Sequence, residues 1–181
     1  MQEPTHILAG VLIQRSLEPV RPKPLRLALV AAAAFLSHGL LDKLANATYH
    51  PPRANFHDPV WVCFHSGVLL LTIVFLVLWW RRYWWGILFA ALPDLDWIFI
   101  HGQEILHLHL PFYHQPYLHN FLGHIVNETR PFSYLRVPSH RLNPWASLWE
   151  VGLIVVLLLA IHLLNKKKSP TPQNPGRMPA G

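Results

Sequence analysis

Val60 to Trp80 is a run of 21 residues without one charged side chain. A helix needs about 20 apolar residues to cross the hydrocarbon core of a bilayer. This run supplies them and so fixes lipid, not water, as the solvent the chain must satisfy. The rest of the composition agrees. The chain of 181 residues is 52% hydrophobic and 13% charged, whereas soluble domains carry about 25% charged residues.

Three more segments share this character. Leu25 to Ala45 is apolar and rich in good helix formers, Tyr83 to Ile100 is apolar but broken by Pro93-Asp94-Leu95-Asp96, and Trp145 to Leu164 is apolar. Residues 5–17 form a shorter apolar helix, with Thr5 as its N-cap, too short to span. The expectation is an all-α, polytopic membrane helix bundle of about four transmembrane helices plus a short N-terminal helix. Arg81-Arg82 stops the second span and Lys166-Lys167-Lys168 closes the fourth. Residues 101–144, with seven of the 13 histidines, carry one or two short helices. Residues 1–168 then make one integral-membrane domain. Residues 169–181, rich in Pro and Gly, make a disordered tail.

The net charge of +6 does not form a nucleic-acid stripe, because the basic residues sit at the ends of apolar runs, as membrane anchors do. Arg15, Arg21, Lys23 and Arg26, then Arg81 and Arg82, then the lysine triplet all fall on one side of a four-span arrangement. The positive-inside rule makes that side cytoplasmic. This gives a multi-pass protein of the cell (inner) membrane with a cytoplasmic C-terminus. Trp79, Trp80, Trp84, Trp85, Trp145 and Trp149 suit interfacial anchoring. Cys63 is the single cysteine, so neither an intrachain disulfide nor a cysteine-based zinc site can form.

Against this background the polar residues near the outward ends of the spans stand out. Ionised carboxylates beside membrane-grade sequence are costly unless their charge is compensated. His38 and Asp42, in Ser37-His38-Gly39-Leu40-Leu41-Asp42, are four apart and share one helix face, so they can chelate one metal ion, or simply hydrogen-bond to each other. Asp94 and Asp96 are two apart, too close for one face, and Pro93 breaks the helix around them. They can line a site or form a polar surface turn. His114 and His119 follow, five apart. His65, His50, His57 with Asp58, and His124 are further residues that could border such a site.

Taken together, Thr5-His6 with Gly10, Ser37-His38 to Asp42, Leu92-Pro93-Asp94-Leu95-Asp96 and His114-x4-His119 resemble the LexA-regulated membrane-bound metal-dependent hydrolases, a family thought distantly similar to zinc-dependent phospholipases C. The resemblance lies in short patches over residues 1–125. In the third motif Gln115, Pro116, Leu118 and Asn120 stand where the family has Arg, Gly, Thr and Ser. The Ser-His-x3-Asp element also comes earlier than in the better-known members. The resemblance implies one to three divalent ions, zinc preferred, held by His6, His38, Asp42, Asp94, Asp96, His114 and His119. Asp94 or Asp96 would serve as general base, on a lipid or lipid-linked ester. No nucleic-acid partner is expected, and the oligomeric state is left open. A non-catalytic metal-binding or metal-transport protein is the alternative for the same ligands. Haem ligation and helix-packing glue are further readings.

Overall fold

The computed structural model describes residues 1–51, 55–107, 115–130 and 132–166, with 104 and 105 as backbone only. The tail and His114 lie outside the described residues. Among the described residues six α-helices follow one another: α1 (Glu3–Ser16), α2 (Lys23–Leu44), α3 (Pro59–Ala91), α4 (Leu95–Leu106), α5 (Tyr117–Glu128) and α6 (Ser147–Lys166). Short 3-10 turns at Ala45–Ala47, Leu92–Asp94, Phe132–Tyr134 and Pro144–Ala146 connect them. No strand occurs among the described residues.

The boundaries follow local chemistry. Helix α1 starts earlier than the sequence predicts. Gln2, not Thr5, is its N-cap, with Glu3 and Pro4 in the first turn, where an acid and a proline are both favoured. The Thr5 hydroxyl instead donates to Glu150 of α6. Asp58 caps α3 by accepting from the Val60 N–H at 2.9 Å, and Pro59 occupies the first turn. Pro93 lacks an N–H and clashes with the preceding turn, so α3 gives way to a 3-10 turn there. Helix α4 ends at His107, which adopts φ +50°.

Helix α3 breaks one residue past the arginine pair. It runs for 33 residues in all and bends at Tyr83 (φ −121°, ψ 22°). In a regular helix the Gly86 N–H would pair with the Arg82 carbonyl. Here the side chain of Gln14 in α1 serves both groups, accepting from Gly86 N at 2.7 Å and donating to Arg82 O at 3.2 Å. A break in a helix is attributable to such an insertion. Among the described residues three helical stretches are long and apolar enough to cross a membrane: Lys23–Ala47, Pro59–Gln103 and Pro144–Lys166.

Helix α1 forms the centre. Its Ile7, Leu8 and Val11 are fully buried in one cluster with Phe75, Tyr83 and Ile87 of α3 and Ile154 and Ile161 of α6. Fully burying such a side chain is worth about 1.5–3 kcal/mol in water. In lipid that drive is absent and close packing takes its place. Gly10 and Gly86 permit it, for a Cβ on Gly10 would lie 2.4 Å from the Gly86 carbonyl oxygen. The outer faces are apolar instead of polar: Leu69, Leu70, Val77 and Leu78 on α3 and Val156 and Leu163 on α6 are exposed. That inversion is what a lipid solvent requires.

The bundle has two chemically different ends. Arg15, near the C-terminus of α1, donates to the Tyr83 hydroxyl at 2.9 Å and lies among the basic residues. The N-terminus of α1 faces the histidines and aspartates.

Candidate metal centre

Five segments deliver polar side chains to one place at the N-terminal end of α1. Helix α1 brings Glu3 and His6, α2 brings His38 and Asp42, the 3-10 turn brings Asp94, the first turn of α4 brings Asp96 and the first turn of α5 brings His119. Gly39 lets α5 approach α2, since a Cβ there would sit 3.1 Å from both Leu122 Cβ and Val126 Cγ2.

His38 is fully buried, and its Nδ1 lies 2.7 Å from the Ala90 carbonyl oxygen. A carbonyl only accepts, so Nδ1 carries the proton and Nε2 keeps its lone pair. That nitrogen is 3.1 Å from Asp42 Oδ2, the i, i+4 partner, and 3.7 Å from Asp94 Oδ1. His119 is set in the same way. Its backbone N–H donates to Asp96 Oδ2 at 2.9 Å, and its Nδ1 lies 3.2 Å from the same oxygen. His119 Nε2 is left facing Asp42 Oδ2 at 3.4 Å and Asp94 Oδ1 at 3.5 Å. It also accepts from the Trp97 indole N–H at 3.1 Å, which agrees with a proton on Nδ1.

His6 is the outlier. Its ring stacks on His38 with centroids 3.9 Å apart, and its Nε2 is 3.4 Å from Asp42 Oδ1. Although buried, neither of its ring nitrogens has a hydrogen-bond partner. A buried polar group left unpaired costs about 1–3 kcal/mol, and each one asks for an explanation. Burial also holds this imidazole down to about 4, so it is neutral at pH 7, the form that binds metal.

The donor atoms of His6, His38 and Asp42 lie within 4.8 Å of one another, as do those of His38, Asp94 and His119. Two carboxylates with neutral imidazoles are the donor set that suits zinc and its neighbours, so these residues fit a divalent cation. His38 has one lone pair to give. The two groups share it, so the set allows one ion held by either group, or two ions joined through Asp42, whose Oδ1 faces His6 and whose Oδ2 faces His38 and His119. The Met1 amino group, 2.9 Å from Asp42 Oδ1, is a cation at the same carboxylate.

The residues singled out in the sequence are thus sorted by the structure. His6, His38, Asp42, Asp94 and His119 converge. Asp96, expected among the ligands and as a possible base, lies outside the converging donor atoms; it is fully buried and orients the His119 ring. His114 is outside the described residues. His65 stacks on Trp61 and bonds back to the Trp61 carbonyl at 2.8 Å, while His57 and His124 are exposed. His50 lies beside the cluster, with Nδ1 3.0 Å from Gln2 Nε2.

Two acids went unnoticed. Glu3 hydrogen-bonds to Asp94, and burial, then Asp94, push its carboxyl up to about 9. Its i, i+3 spacing to His6 was a usable signal, hidden by starting α1 at Thr5. Glu150 is buried and accepts from the Gln2 N–H at 3.0 Å and from the Thr5 hydroxyl, so it ties α6 to the first turn of α1. A cavity of about 300 Å³ opens between α2 and α5, lined by Gly39, Asp42, Lys43, His119, Leu122 and Asn127 among others. No family model, curated protein or solved structure matches the chain.

Proposed function

We propose that the protein is a membrane-embedded, metal-dependent hydrolase acting on a lipid or lipid-linked (phospho)ester, with zinc as the preferred ion. One observation carries this reading. Residues from four separate elements bring their donor atoms into two groups that share His38, and the buried His6 has ring nitrogens without a hydrogen-bond partner, one of which a cation would satisfy.

A bound divalent ion would supply Lewis acidity toward an ester oxygen and would acidify water. The chain's own residues do the rest. His38 presents its Nε2 lone pair because Ala90 holds its Nδ1 proton, and His119, with Nδ1 on Asp96, would present its own once the Trp97 indole N–H lets go of it. Asp42 and Asp94 balance the charge of the ion. Asp94 is the carboxylate within reach to take a proton from water, and the Glu3 carboxyl beside it, held protonated, donates a hydrogen bond to it. The cavity between α2 and α5 receives the headgroup. Lys43 sits in its lining, held by Asn127 Oδ1 at 3.0 Å and the Phe132 carbonyl at 2.8 Å, and offers positive charge to a phosphoryl oxygen. Leu122 and Val126 line the same cavity and suit an acyl chain.

In the proposed topology the bend at Tyr83 divides α3 into two legs, so that the chain crosses the membrane four times. The cluster faces outward and the basic end faces the cytoplasm of a cell (inner) membrane, with the C-terminus inside. Two donor groups sharing His38 also suit a closed site with no position open to substrate. That favours, as a second reading, a non-catalytic metal-binding protein.

The test is elemental mass spectrometry on protein purified in mild detergent without chelator. Wild type should hold at least one zinc, manganese or iron per chain, and the His38→Ala/Asp94→Ala variant should hold none. Full retention in the double variant sinks both readings. Metal without hydrolysis of any lipid ester in a panel leaves only the second.

A further inference from the structure

At the opposite end of the bundle the structure holds a second polar cavity, of about 540 Å³. It lies between the C-terminus of α1, the N-terminus of α2 and the bend of α3. Arg21, Arg26 and Arg82 line it together with Gln14, Glu18 and Leu27. From Gln14 to His6 is eight residues of α1, a rise of about 12 Å, so the two sites are separate.

Three guanidiniums in that lining face one carboxylate, and Glu18 is already shared. Its Oε1 lies 3.5 Å from Arg15 Nη1 and 3.8 Å from Arg82 Nη2. Arg26 donates to the backbone carbonyl of Glu18 at 3.2 Å, a neutral acceptor. Arg21 makes no hydrogen bond or ion pair among the described residues. The first turn of α2, beginning at Lys23, adds the positive end of a helix dipole to the same wall. The wall itself is braced, since the Trp85 indole donates to the Leu27 carbonyl at 2.9 Å. Guanidinium forks match phosphate oxygens in planar, bidentate geometry. Basic pockets between membrane helices bind acidic headgroups, and the volume here suits a headgroup better than a bare ion.

We propose that this cavity binds a phosphate-bearing anion of headgroup size, held by Arg21, Arg26 and Arg82. The phosphate can belong to an acidic membrane lipid or to a soluble phosphate ester. The site needs neither the His/Asp cluster nor any hydrolase activity.

The test uses the full chain in mild detergent and measures binding of short-chain phosphatidylglycerol, of phosphatidylcholine with the same chains, and of glycerol 3-phosphate. Phosphatidylglycerol should bind and phosphatidylcholine should bind at least tenfold more weakly, because its choline cancels the phosphate charge. The Arg21→Gln/Arg82→Gln variant should bind phosphatidylglycerol about thirtyfold more weakly. Arg136→Gln, outside the cavity, should bind it as wild type does. Competition by glycerol 3-phosphate at similar concentration would assign the site to soluble phosphate esters, and failure to compete would assign it to lipid. Equal binding of the two lipids to wild type overturns the proposal without any variant. So does undiminished phosphatidylglycerol binding in the double variant.

Discussion

Replacing Gly10 by alanine tests whether the crossing of α1 and α3 positions the metal centre. The new methyl carbon would lie 2.4 Å from the Gly86 carbonyl oxygen, 2.7 Å from its carbon and 3.0 Å from Ala90 Cβ. None of these is the tip of a flexible side chain, so the helices themselves must part. Ordinary contact begins at 3.4 Å, which requires a shift of about 1 Å. Overpacking of this kind costs about 1–3 kcal/mol. At roughly 2–4 °C per kcal/mol for a chain of this size, a 2 kcal/mol loss lowers the thermal midpoint by about 4–8 °C. His6 is one helical turn from Gly10 on the same face, so the shift reaches the cluster. Donor–metal distances tolerate only about 0.2 Å. Gly10→Ala should therefore lose metal as well as stability, read by thermal unfolding and elemental mass spectrometry on the same preparation. Gly67→Ala, with nothing within 4 Å of the new atom, is the control and should match wild type. A Gly10→Ala protein with the midpoint and metal content of wild type would refute the argument that this crossing sets the site.

Two further outcomes follow from the geometry. Asp96→Asn should lower metal affinity about 10–100-fold while Asp94→Asn abolishes binding, because Asp96 acts by orienting His119; equal losses in a competition titration would contradict that division. Burial holds His50 down to about 4 from an ordinary value near 6.5, so the unfolded chain binds the extra proton between those values. The stability His50 contributes is complete above about pH 6.5 and is lost as pH falls toward 4. His50→Gln should therefore show a smaller drop in thermal midpoint between pH 7 and pH 4.5 than wild type, and an equal drop would remove His50 as the cause.

What the sequence could and could not reveal follows from the range of each signal. The His38–Asp42 pair was legible because i, i+4 spacing is a property of one helix. The clustering of His38, Asp94 and His119 at one end was legible from span order, but that of His6 was not, because the basic residues after α1 set its neighbours on the other side and only the family resemblance brought it in. The division of work between Asp94 and Asp96 was not legible either, because it depends on where α5 places His119. The arginine pair marked where α3 breaks, one residue before Tyr83, but not what holds the break: it rests on Gln14, a partner 68 residues from Arg82 along the chain.

The spread of the donors along the chain also bears on how the protein is made. His6 precedes His38 and Asp42 by an early stretch of the sequence, but His119 arrives far later. At about 5–20 residues per second, synthesis takes roughly 5–20 s to pass from the first donor to the last. During that interval the buried imidazoles and carboxylates are in or beside lipid as a partial set. If the cluster holds a metal ion as proposed, the nascent chain passes through a stage with an incomplete chelate, open to whichever cation reaches it first, and selection of the ion becomes a matter of timing as much as of affinity in the finished fold.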